Sequence, residues 1–243
     1  MAKFFSIILV TIVAFTAHAS DSSDPKYFQL TKVKMTDVSA QYAAQSQNFA
    51  QAGLLESCDI ASKPLVGVTS DQKIETDPLG MIEIVVDRII NIGKKLWAIL
   101  EAGRPVVNIK TYTANALPQG LTCWTDLTGW NVPKSKVYKV VYENAYGAEV
   151  VTFAYRVTFT AGGSLNGQGK YITNATIMPA EMDISWGFNL DAQAEVPSVF
   201  NTGTKDAPVA GMQMLMKWQV NSVMSHLEQA ETFYVGGNNV LKH

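Results

Sequence analysis

The 243 residues carry 19 basic and 21 acidic side chains, and the basic ones are scattered, as at Lys26, Lys73, Lys139, Lys170 and Lys217. No stripe exists to displace counterions from phosphates, so nucleic acid is excluded as a partner. A 47% hydrophobic and only 16% charged composition excludes a disordered chain and suffices for one sizeable core.

Residues 1–19 open with Lys3, run apolar from Phe4 to Phe15 and end in Ala17-His18-Ala19 before Ser20, the pattern of a cleavable secretory signal. The apolar run spans about 12 residues where a membrane-crossing helix needs roughly 20, so an anchor is not expected. A secreted or periplasmic chain follows, with a net charge of about −3 once Lys3 is removed. In that setting the two cysteines, Cys58 and Cys123, are expected to pair, closing a loop of about 65 residues.

Residues 20–76 form an irregular N-terminal segment, with a weak strand over 27–38 and a short helix over 39–53. The domain proper is expected over 77–243. Its first element reads as a long helix over 77–102: Asp77 caps it, Pro78 suits the first turn, and Gly103 and Pro105 stop it. Glu83, Asp87, Asn91, Lys94 and Lys95 would form one narrow polar stripe on an otherwise apolar rod, which implies burial against a sheet, a partner or lipid.

Beyond residue 106 the apolar period falls to about 2, the signature of strands. Segments 106–112, 137–142, 151–159, 170–177, 212–220 and 227–235 read as strands, and the alternation from Ile184 through Trp186 and Phe188 to Val196 reads as one more. Turn chemistry separates them at 144–147, 162–169, 201–208 and 236–237, and short connections favour antiparallel pairing. The expected fold is mainly β: an antiparallel β-sandwich or curved sheet with one long apolar helix packed on it.

Signals for catalysis are few. Of three histidines, His18 leaves with the leader and His243 is terminal, so His226 alone could serve a nucleophile, and no metal or cofactor motif is present. Glu181 with Asp183, and Asp191 with Glu195, are spaced to share a face, as two carboxylates of a glycoside hydrolase would, but their alternation with apolar residues fits a solvated sheet face. The glycines of 162–169 join two strands, so they read as a hairpin tip and not a phosphate cradle. Asn174-Ala175-Thr176 matches a glycosylation acceptor inside an expected strand.

What remains are binding surfaces. Trp186 and Trp218 fall on apolar strand faces and read as core, whereas Trp124 and Trp130, beside Cys123, are candidates for an exposed binding edge. Met212, Met214 and Met216 would suit an adaptable apolar lining. The resulting expectation is an exported, non-enzymatic protein that binds a lipid-like or envelope component, with a membrane surface as a possible partner. The alternatives are a carbohydrate-binding or adhesive β-sandwich using Trp124 and Trp130, and a membrane-inserting toxin using the 77–102 helix.

Overall fold

The computed structural model describes residues 24–43, 84–93, 95–97, 112–121 and 123–243. The β-branched and aromatic alternation that dominates the second half of the chain is realised as eleven strands among the described residues. After a short helical turn, α1 (Pro25–Phe28), come β1 (Leu30–Asp37), β2 (Val85–Ile92), β3 (Lys95–Trp97) and β4 (Ala114–Gln119). The long strands follow: β5 (Lys134–Asn144), β6 (Glu149–Leu165), β7 (Gln168–Ile184), β8 (Asn189–Asn201), β9 (Ala210–Asn221) and β10 (His226–Gly236), closed by β11 (Val240–Lys242).

Two antiparallel sheets result, one ordered β1-β5-β6-β7-β4-β2 and the other β11-β10-β9-β8-β3. Period-2 side chains put Tyr138, Val140 and Tyr142 of β5 and Val151, Phe153, Tyr155 and Val157 of β6 on the face that meets Met212, Met214, Met216 and Trp218 of β9 and Phe233 of β10. Phe153 meets Trp218 edge to face with ring centroids 5.3 Å apart, and Tyr138 meets Phe233 at 5.1 Å. The core therefore lies between the sheets, as in a sandwich. The first sheet also buries part of its outer face: Val38 packs on Val137 and Ala154, with Tyr42 beside them.

The expected long helix over 77–102 is not formed. Residues 85–92 pair with β4 and residues 95–97 pair with β8; 77–83, 94 and 98–102 lie outside the described residues. The helical pattern arose from two adjacent apolar pairs, Val85-Val86 and Ile89-Ile90, whose four-residue spacing mimics one helix face. Their β-branched side chains favour a strand, and a register irregularity between Val85 and Ile89 accommodates the doubled apolar positions. Gly93 then sits at φ +93, and a Cβ there would lie 2.5 Å from the Thr113 carbonyl oxygen, so the chain can turn from one sheet to the other only at glycine.

A second correction concerns the alternation from Ile184 to Val196, which is not one strand. β7 ends at Ile184, a turn occupies 185–188 with Gly187 at φ +82, and β8 begins at Asn189. Four turn residues leave the odd-even parity intact, so the period continued through the break. Around 27–38 the expected strand begins later, at Leu30, after α1, and the helix expected over 39–53 is a 3-10 turn at Ser39–Tyr42, with 44–53 outside the described residues. The 106–112 strand falls outside them except for Tyr112, which is not in a strand. At the glycine-rich tip the strands run further than expected: only Asn166 and Gly167 turn, both at positive φ, the Asn-Gly hairpin pattern.

Candidate functional site

One end of the sandwich gathers three turns and α1. In the β5–β6 turn, the Asn144 side-chain oxygen accepts from the backbone N–H groups of Tyr146 and Ala148, at 3.0 and 3.1 Å, and its amide nitrogen donates to the Tyr27 carbonyl at 3.2 Å. The β9–β10 turn is built similarly: the Ser222 hydroxyl accepts from the N–H groups of Met224 and Ser225 and donates to the Phe28 carbonyl at 2.6 Å. Ser225 Oγ donates to the same carbonyl and accepts from Leu30 N–H at 3.0 Å. These short polar side chains satisfy backbone groups that the turns would otherwise leave unpaired.

α1 is thereby drawn over the end of the core. Asp24 caps it by accepting from Lys26 N–H, and Pro25 suits its first position. Phe28 is buried against Phe188 and the Cα of Gly187, where a Cβ would stand 2.4 Å from its ring. The Tyr146 hydroxyl donates to the Asp24 carboxylate, which holds that carboxyl below its ordinary range and pushes the Tyr146 phenol up.

The tips of these turns point large apolar groups outward. Trp186 is 70% exposed, Val223 78%, Met224 56% and Tyr146 54%. Trp186 touches the rim of the end through Phe28, at a centroid distance of 5.9 Å. Four such side chains, from three turns that each contact α1 or its cap, stand at the same end of the molecule. Trp186 is thus corrected from core to surface; Trp218, the other tryptophan expected inside, is buried.

The residues singled out from the sequence are distributed elsewhere. Met212, Met214 and Met216 are fully buried in the shared core between the sheets. Trp124 and Trp130 are half-buried near the opposite end of the sandwich and contact one another edge to face at 6.4 Å, with Trp130 Nε1 donating to the Trp124 carbonyl. Trp130 also lies against Gly163 of β6. Cys123 is not a free thiol, and its expected partner Cys58 lies outside the described residues.

Glu181 is held by Tyr42 and Lys139, Asp191 accepts from Gln219, and Glu195 pairs with Lys217. His226 is exposed between Asn221 and Glu228. Asn174 is buried in β7, so its acceptor motif is inside the folded protein. Sequence reasoning passed over Val223 and Met224, although an apolar pair between two serines in a strand break was visible; Tyr146 stood in the turn it assigned to 144–147.

Among the described residues no helix is long and apolar enough to cross a membrane, and no cluster of ligating side chains could hold a metal. Comparison with protein-family models, with curated proteins and with solved structures finds no match to this chain.

Proposed function

We propose that this chain is a non-enzymatic binding protein of the cell envelope that docks on a lipid surface through the end formed by Tyr146, Trp186, Val223 and Met224. The observation that carries this reading is the exposure of those four side chains on turns that are braced by hydrogen bonds to Asn144 and Ser222. Each backbone N–H bonded in this way is one fewer to be desolvated when the tips meet a headgroup layer. Tryptophan and tyrosine suit the membrane–water boundary, where one ring edge is wet and the body apolar. Met212, Met214 and Met216 are committed to the core, so the docking uses the exposed tips and needs no refolding. Export belongs to the same reading, with the 1–19 leader removed and Cys58 joined to Cys123. N-terminal sequencing from Ser20 and a non-reducing mass two hydrogens below the dithiol would support it.

Co-sedimentation with phosphatidylcholine vesicles, alone and mixed with phosphatidylglycerol, tests the docking. Each apolar side chain moved from water contributes on the order of 1–2 kcal/mol, so the Trp186→Ala/Val223→Ala/Met224→Ala variant should bind at least about tenfold more weakly. Absence of binding to every vesicle, or unchanged binding by the triple variant, would overturn the reading.

A further inference from the structure

We infer that the outer face of the second sheet carries a separate binding site, for an uncharged glycan. Register across β8, β9 and β10 places Asp191, Gln219 and Glu228 in one row and Gln193, Lys217 and Ala230 in the next. All of these point away from the core, because their neighbours Ala192, Trp218 and Val220 are buried. Ala230 is the one short side chain in that group, and around it the surface sinks into a depression of about 720 Å³ spanning the three strands. That volume falls within the range of about 300–1,000 Å³ usual for ligand sites.

The chemistry of the lining selects the ligand. Two carboxylates, Asp191 and Glu228, face the depression, and its single cation, Lys217, is already paired with Glu195 at 3.2 Å. A phosphate, sulfate or uronate would meet like charge with no free cation to offset it. More of the lining is apolar than polar, as a sugar ring's C–H faces require, but a wholly apolar ligand would strip water from the amides and carboxylates set into it without replacing their hydrogen bonds. Hydroxyl groups suit both: a carboxylate or amide oxygen accepts from one hydroxyl while an amide N–H donates to its neighbour. Gln193 and Gln219 supply such amides, the latter already oriented by its 3.2 Å bond to Asp191.

The same face continues toward a platform for sugar rings. Four residues along β9 from Lys217, about 13 Å at 3.3 Å per residue, Gln213 accepts from the Ser198 hydroxyl at 2.7 Å. Beyond it Phe200, 40% exposed, and Tyr234 stack across Gly211 with centroids 6.2 Å apart and planes 27° from parallel. Depression and aromatic pair thus lie along one strand direction, the layout a chain of several sugars requires. Neither part shares a residue with the apolar end, so the two sites succeed or fail separately.

An array of neutral and acidic glycans, followed by titration calorimetry with the neutral oligosaccharides that bind, tests this on the full chain. Ala230→Phe fills the depression from an exposed position, Gln193→Ala/Gln219→Ala removes the amides, and Phe200→Ala removes half of the stack. The expected result is binding to neutral oligosaccharides that each variant weakens by about tenfold, the cost of one or two lost hydrogen bonds or a lost ring contact, with Trp186→Ala binding as the parent does. Failure of every neutral glycan to bind, preference for acidic ones, or parental affinity in both the Ala230→Phe and the double glutamine variants would overturn the assignment. Circular dichroism matching the parent confirms that each variant is folded.

Discussion

A hydrogen bond between side chains of the two sheets crosses the core, and its removal makes a quantitative test of how they are held together. Trp218 of β9 donates from Nε1 to the Tyr142 hydroxyl of β5 at 2.8 Å, and both side chains are buried. Burial pushes the Tyr142 phenol up, as expected of a hydroxyl far from water. Tyr142→Phe keeps the ring and leaves the indole N–H buried without a partner, which should cost about 1–3 kcal/mol. Trp218→Phe orphans the hydroxyl and also withdraws half an indole from contact with Phe153 and Tyr155, for about 2–4 kcal/mol. The double variant removes both polar groups, so it should be less destabilised than the sum, with a coupling of about 1–2 kcal/mol. Urea unfolding followed by far-ultraviolet circular dichroism reads all three without relying on tryptophan emission. A Tyr142→Phe loss below about 0.3 kcal/mol, or strict additivity, would refute a strong core bond.

Two other perturbations follow from close contacts. At Gly163 a Cβ would stand 2.3 Å from the Trp130 ring, so Gly163→Ala should destabilise by about 1–3 kcal/mol and move the Trp130 emission, measured by thermal melting and fluorescence. Tyr42 donates to Glu181, which holds that carboxyl below its ordinary range, with Lys139 adding to the effect; the associated stability is present at neutral pH and is lost as pH falls through the lowered value. Burial, then the Glu181 bond, pushes Tyr42 up to about 12, so its contribution holds below pH 10 and disappears as pH rises through 12. Urea midpoints across pH should show a shallower acid slope in Glu181→Gln; an identical slope would refute the assignment.

How far the sequence exposed this fold depends on which physical signal each segment carries. The strands around Val151–Phe159 and Met212–Val220 were legible because large apolar residues recur at every second position, opposite a wet face in Met212–Val220 and opposite the buried Thr152, Ala154 and Arg156 in Val151–Phe159. β2 was not, because both of its faces are half-buried and its doubled valines and isoleucines repeat at helical spacing. The 185–188 turn hid behind preserved parity, which also disguised Trp186. The apolar end could not be read at all from local pattern, since it exists only where turns some 40 residues apart meet on α1. By the same reasoning the methionines, apolar and evenly spaced, carry no mark that separates a ligand lining from ordinary core.

The strand order also bears on assembly. β5 through β7 and β8 through β11 each pair with their next neighbours in the chain, so two ribbons can zip up from their own hairpins. β1 joins only across about a hundred positions or more, as where Asp37 pairs with Tyr138 and Thr31 meets Asn144, 113 positions away. Its loop-closing entropy is large beside that of any hairpin. The N-terminal stave is therefore expected to be fitted after the two ribbons have met, and the cork formed by Phe28 with it. Until that moment the end that carries the greasy tips stands open, so under the proposed reading docking competence would be the last property the newly made chain acquires.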